Sequence, residues 1–158
     1  MLAEMNLRSQ ATSFAKILVN CFKGDIVSVV LFGSVGRGDA RPDSDVDMIV
    51  VIKKLPEGRY SRRKLLEPAL NVAEKRGLTA SFNCHIRSPD EAKKITVMYF
   101  DLPTDAKILF DKDGFFRGVI DQVKDRIDAN GSVRKKWGNF YYWDLMPRGN
   151  ADSTFEIL

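Results

Sequence analysis

Leu31-Phe32-Gly33-Ser34-Val35-Gly36-Arg37-Gly38-Asp39-Ala40-Arg41-Pro42-Asp43-Ser44-Asp45-Val46-Asp47-Met48-Ile49-Val50-Val51 is the stretch on which the reading of this chain turns. Ile26 to Phe32 is an apolar, β-branched run of strand length, and Gly33 ends it. Val46 to Ile52 is a second such run, whose entrance is crowded by Asp43, Ser44, Asp45 and Asp47. Side chains alternate between the faces of a strand, so Asp45 and Asp47 point the same way. Two carboxylates on one face repel, with no opposite charge at positions 44, 46 or 48. A cation between them removes the conflict, and magnesium suits the pair. It takes hard oxygen ligands and is usually held by one or two carboxylates plus substrate phosphates. The Gly33-Ser34 turn supplies the other half, because glycine lets backbone N–H groups approach a phosphate and serine adds a hydroxyl donor.

Each piece alone has a plainer explanation. A Gly-Ser turn is common, and Asp-x-Asp after a Pro-Asp turn serves equally as a solvated strand entrance. Their joint spacing is more specific: Gly33-Ser34, ten residues, then Asp45-Val46-Asp47, with Arg37-Gly38 and Ser44 inside. That pattern resembles the signature of the DNA polymerase beta-like nucleotidyltransferase superfamily, and within it the small minimal nucleotidyltransferases. The likeness is strong over residues 26 to 52. A looser one covers the end of the chain, where a strand reaching Leu109-Phe110-Asp111-Lys112-Asp113-Gly114 is followed by a helix and a basic, aromatic segment. The resemblance implies an α/β (α+β) nucleotidyltransferase fold, a mixed, largely antiparallel sheet of four or five strands with helices packed on one face. It implies nucleotide binding by Gly33, Ser34, Arg37 and Ser44, and magnesium (or manganese) binding and catalysis by Asp45 and Asp47. The substrate would be ATP or another nucleoside triphosphate, and the acceptor a hydroxyl on a protein, RNA or small molecule.

Size and composition fit that expectation without selecting it. The chain has 158 residues, enough for one self-sufficient core, with 44% apolar and 29% charged residues. A single domain over residues 1–146 and a frayed tail over 147–158 are expected. No apolar run reaches the ~18 residues of a membrane span, and no signal peptide is legible. Cys21 and Cys84 form no CxxC pattern and there is one histidine, so a cytoplasmic protein without zinc is expected. The net charge of +4 suits an anionic ligand without demonstrating one.

Along the rest of the chain, residues 2 to 22 place Leu7, Ala11, Phe14, Ile17, Leu18 and Phe22 at helical spacing. A second helix is expected over Ser61 to Arg76, with a basic start at Arg62-Arg63-Lys64 that reads as a solvated face more readily than as an acceptor site. Thr79 to Ile86 alternates as a strand, with Ala80, Phe82, Cys84 and Ile86 on the apolar side and Ser81, Asn83 and His85 on the polar side. Ser88-Pro89-Asp90-Glu91 reads as a capped helix start, the helix running to Tyr99 or Phe100. Ala106 to Phe110 is a further strand, Asp111 to Gly114 a turn rather than a calcium loop, and Phe115 to Asp128 or Ala129 the last helix. The basic and aromatic segment that follows reads as an edge strand that covers the core with Trp137, Tyr142 and Trp143, or as a partner interface.

One departure from the family pattern stands out. The resemblance implies a third carboxylate on the polar side of the strand beside Asp-x-Asp, and here that side carries no acid. Asp101, Asp105 and His85 are the alternatives for that role, and its absence is the remaining one. Two functions follow. The first is a transferase that moves a nucleoside monophosphate from a triphosphate to a hydroxyl, releasing pyrophosphate. The second is a catalytically impaired, antitoxin-like nucleotide-binding module that acts through a helical toxin-type partner. Homo-oligomers, or a domain separated from an acceptor-binding neighbour, fit either.

Overall fold

The computed structural model describes residues 2–145, with side chains from Asn6 onward. The expected tail beyond residue 146 lies outside the described residues. Helix α1 (Leu2–Phe22) leads into β1 (Ile26–Phe32), a short helix α2 (Gly33–Arg37) and β2 (Val46–Ile52). Helices α3 (Arg59–Leu65) and α4 (Glu67–Lys75) precede β3 (Phe82–Arg87) and α5 (Pro89–Ala92). A 3₁₀ stretch, α6 (Leu102–Asp105), β4 (Lys107–Asp111), α7 (Phe115–Asn130) and the strands β5 (Val133–Trp137) and β6 (Phe140–Asp144) complete the chain.

Four strands form one sheet in the order β3-β2-β1-β4, and β5 and β6 pair only with each other. β1 runs antiparallel to both β2 and β4, while β3 is parallel to β2. The mixed, largely antiparallel sheet is therefore as expected. The placement of helices is not, because they cover both faces. On one side Phe14, Ile17 and Leu18 of α1 and Ala69 and Ala73 of α4 pack on Val29, Leu31, Met48 and Val50. On the other, Phe116, Val119, Ile120 and Val123 of α7 pack on Val27, Val30, Ile49 and Val51. The physical reason is in the central strands. β1 and β2 are apolar at nearly every position rather than at alternate ones, so a second apolar face needs cover. The face expected to stay open for a ligand is therefore covered by α7, and Asp47 sits at the end of the sheet where it pairs with Phe32.

Helix expectations hold for α1 and α7 and fail in two places. The single helix over 61–76 is two, broken at Leu66, because Pro68 has no N–H to continue the ladder and instead starts a new first turn. The helix from Ser88 keeps its capping box, Ser88 accepting from Glu91 N while Glu91 accepts from Ser88 N, but ends after one turn at Ala92. Ile95-Thr96-Val97 is a β-branched run with low helix preference, and Thr96 is extended. The C-terminal hairpin also departs from expectation. Trp143 sits edge-on to Phe100, but Trp137 is 82% exposed and covers nothing. Among the described residues no helix is long and apolar enough to cross a membrane.

Candidate functional site

The antiparallel ladder between β1 and β2 places Phe32 opposite Asp47. The chain then leaves β1 through Gly33, whose φ of +67° is left-handed backbone that favours glycine. A Cβ at Gly33 would lie 2.5 Å from Asp47 Oδ2, so the carboxylate rests against the bare Cα of the turn. Asp47 is half-buried, Asp45 is exposed just before the strand, and Val46 between them is fully buried in the core on the α1 side. Ser34 follows in the first turn of α2, and its carbonyl accepts from Gly38 N at 2.9 Å and Asp39 N at 3.1 Å. Arg8 of α1 braces the same turn, donating to the carbonyls of Val35 at 3.0 Å and Gly36 at 3.3 Å.

The parallel ladder of β2 and β3 sets Asn83 beside Asp47. Asn83 Nδ2 donates to Asp47 Oδ1 at 2.8 Å. His85, two residues on, packs its ring edge-on against Phe32 with centroids 5.4 Å apart. Burial pushes the His85 pKa below the usual histidine value, the charge of Asp47 opposes that, and Arg87 adds to it. The apolar alternation expected for this strand is observed, with Phe82, Cys84 and Ile86 packed into the α1 side of the core. Beside Asp47 the strand thus offers an amide and an imidazole.

Asp101 and Asp105 do other work. Asp105 is 2% exposed and accepts from Arg134 at 3.1 and 3.0 Å and from Arg37 at 3.3 Å. Asp101 accepts from Trp143 Nε1 at 2.9 Å and forms an ion pair with Arg134 at 3.3 Å. Both carboxylates tie the β5–β6 hairpin to the body. Arg37 also reaches Asp39 at 3.1 Å, so its guanidinium lies between two acids. Ser44 closes its own turn, its hydroxyl accepting from Arg41 N at 2.8 Å. The structure therefore brings Gly33, Asp47, Asn83 and His85 together, turns Arg37 toward Asp105 and employs the Ser44 hydroxyl in the connecting loop.

Arg8, Arg134 and the anchoring role of Asp105 were not legible as site residues. One signal existed: Asp105 lies between the apolar residues Leu102 and Ala106, and a buried acid needs a cation. Which cation could not be read, because Arg37 and Arg134 are far away in sequence.

The donor chemistry suits a hard divalent cation. Asp47 Oδ1 accepts from a side-chain amide that carries no charge, and its Oδ2 faces the turn. No cluster of three or more His, Cys, Asp or Glu side chains occurs among the described residues. Two carboxylates with water and phosphate oxygens completing the shell is the way magnesium is usually held.

Comparison with known proteins supplies the family. The family model for the nucleotidyltransferase domain matches residues 13–127. A provisionally assigned protein adenylyltransferase of Methanocaldococcus jannaschii is 33% identical over 104 residues, covering 65% of this chain and 71% of that protein. Spectinomycin 9-adenylyltransferase of Staphylococcus aureus is 40% identical over 74 residues, which cover 46% of this chain and 28% of that enzyme. Among solved structures, a toxin–antitoxin crystallised with AMP-PNP superposes with a TM-score of 0.52 at 16% identity, over 75% of this chain and 87% of that one. A mutant of the toxin–antitoxin MntA-HpeT gives 0.53 at 13% identity, with the same coverage. At these identities the two structures speak for the fold alone.

Proposed function

The chain belongs to the nucleotidyltransferase family, and from that premise we propose that it transfers a nucleoside monophosphate, AMP from ATP in the first instance, to a hydroxyl on a protein. The observation that carries the reading is the Asp47 carboxylate resting against the bare Cα of Gly33 at the end of β1. An anionic metal ligand and a phosphate-accessible backbone then share one spot. The identity of the M. jannaschii relative supports AMP as the group and protein as the acceptor class.

Enzymes of this family use nucleoside triphosphates with divalent cations. In this chain Asp45 and Asp47 would hold magnesium, with manganese as a substitute. Once bound, the cation supplies positive charge beside the triphosphate and the leaving pyrophosphate. Gly33 backbone and the Ser34 hydroxyl donate to phosphate oxygens, and Ser44 fixes the loop that delivers Asp45. Arg37 offers a further positive charge to the phosphates, in competition with Asp39 and Asp105. The acceptor oxygen forms a bond to the α-phosphorus as the bond to the α,β-bridging oxygen breaks and pyrophosphate departs. The hydroxyl proton passes to a neutral ring nitrogen of His85, which its lowered pKa keeps available near neutrality.

Incubation with α-labelled ATP, magnesium or manganese and candidate acceptor proteins tests the proposal. Label transfer by the parent and its loss in both Asp45→Asn and Asp47→Asn supports it. No metal-dependent binding of ATP at all refutes it. His85→Ala should keep ATP binding while it removes the acidic limb of the pH–rate profile. An unchanged profile would take His85 out of the reaction.

A second reading is favoured by Asn83, the neutral amide beside Asp47 where a third carboxylate was expected. On that reading the chain binds nucleotide and acts through a partner, in the manner of the antitoxin half of a toxin–antitoxin pair. Metal-dependent ATP binding without transfer to any acceptor would select it.

A further inference from the structure

β3 is an outer strand of the sheet: it pairs with β2 on one side and, among the described residues, with no strand on the other. Its free edge opens into a groove of about 660 Å³ bounded by residues 58–70. Arg59, Arg62, Arg63 and Arg87 line the groove and no carboxylate does. Arg62 is fixed by two bonds to Glu91, at 2.8 and 2.9 Å, and one to the carbonyl of Pro56 at 3.2 Å. Arg59 and Arg63 are exposed, and neither has a partner among the described residues. The floor is aliphatic, with Leu66 and Ile86 both buried. Asn83 and His85 belong both to this groove and to the site around Asp47.

We propose that this groove docks an extended, acidic segment of the acceptor protein as an added strand along β3, with its hydroxyl delivered past Asn83 toward Asp47. The proposal rests on the transferase reading given above and adds to it the place, the conformation and the charge of the acceptor. A free strand edge presents unpaired N–H and C=O groups that only another extended backbone satisfies in series. Six residues of β3 offer about 20 Å of edge. The unpartnered guanidiniums complement carboxylates on alternate side chains of such a segment. RNA fits less well, because single strands need open aromatic faces for stacking. The two rings that line the groove, Phe82 and His85, are already packed on Phe14 and Phe32. The exposed aromatic residues Trp137 and Phe140 stand on the β5–β6 hairpin, and Tyr60, exposed on α3, lies outside the groove lining with the Lys64 ammonium over its ring.

The test uses the whole chain without nucleotide and a fluorescently labelled random copolymer of glutamate and tyrosine, with binding read by anisotropy. Three proteins are compared: the parent, Arg59→Glu/Arg63→Glu, and Lys112→Glu/Lys124→Glu, which changes the net charge equally at exposed sites outside the groove lining. The parent should bind. The arginine variant should bind about tenfold or more weakly, and the lysine variant nearly as the parent does. Hydrogen exchange at the β3 amides should slow when the copolymer is added to the parent. Equal weakening in both variants, tighter binding of a single-stranded RNA of similar length, or unchanged exchange at β3 would each overturn the proposal. Magnesium-dependent ATP binding is measured on the same three proteins. Its absence from all three would count against the transferase, whereas ATP binding without copolymer binding would defeat the groove alone.

Discussion

Substitution of Gly33 by alanine probes the contact on which the site is built. The new residue must hold left-handed backbone at φ +67°, which for an L side chain costs about 1–2 kcal/mol. Its Cβ would also stand 2.5 Å from Asp47 Oδ2, closer than real contacts allow, so the carboxylate must swing away. That movement breaks the bond from Asn83, worth about 0.5–1.5 kcal/mol net. Together these predict a loss of about 1.5–3.5 kcal/mol, or about 3–14 °C in Tm for a chain of this length. Metal-dependent nucleotide binding should fall with it, because Asp47 no longer sits at the turn. Thermal unfolding in a double-mutant cycle with Asp47→Ala separates the two contributions. With the carboxylate gone, the nearest remaining Asp47 atom is Cβ at 3.3 Å, and the cost of Gly33→Ala should shrink to the backbone share of about 1–2 kcal/mol. If Gly33→Ala costs the same in both backgrounds, or leaves stability and nucleotide binding as in the parent, Asp47 does not lie where it has been placed and the site reading fails.

Three further expectations follow from other contacts. Asp105→Asn leaves the guanidiniums of Arg37 and Arg134 without their buried counter-charge and should cost about 3–5 kcal/mol, with a change in tryptophan fluorescence as Trp143 loses its packing; a cost below about 1 kcal/mol would show that the hairpin is held by other contacts. The bond from Arg62, then that from Ser88 N, lowers the Glu91 pKa from 4.5 to about 2. A carboxylate lowered in the folded state stabilises above its unfolded pKa, and that stability is lost as pH falls from about 4.5 to 2. Arg62→Ala should therefore cost about 1 kcal/mol near neutrality, allowing for solvent screening, and almost nothing near pH 2; a pH-independent difference in urea midpoints would contradict this. Asn83→Asp adds a carboxylate beside Asp47 and should raise the rate of label transfer by about tenfold or more, and an unchanged or lower rate would show that the amide does not limit the reaction.

The strands that carry the site were legible because their signal is local and redundant. Two β-branched runs, a left-handed glycine and alternate acids fall within residues 26 to 52, and pairing two adjacent runs across a short connection leaves little choice of register. What failed depended on partners distant in sequence. β1 and β2 are apolar on both sides, yet one covered face was expected, because the helix that covers the second, α7, begins some 60 residues beyond β2. Pro68 is a local exception: it lies inside the apolar stripe of residues 61–76 without disturbing its periodicity, and a missing N–H ends a ladder however apolar the stripe. Trp137 was expected in an edge strand that covers the core, or at a partner interface, and the covering role is not observed. The two-stranded hairpin that carries it is tied down by Arg134 and Trp143 near its base, so the far end stays in solvent.

The pairing of Phe32 with Asp47 has a consequence for how such a chain can be altered. The turn and Asp47 are set against each other by hydrogen bonds between strands, not by the residues that link α2 to β2. The tip of that link, at the exposed Pro42 and Asp43, behaves as slack: side chains there can be rewritten without the two strands being pulled out of alignment, whereas Ser44 and Asp45 stay as they are. For an engineer that tip is the place to write, and the ladder is the ruler that must be left untouched.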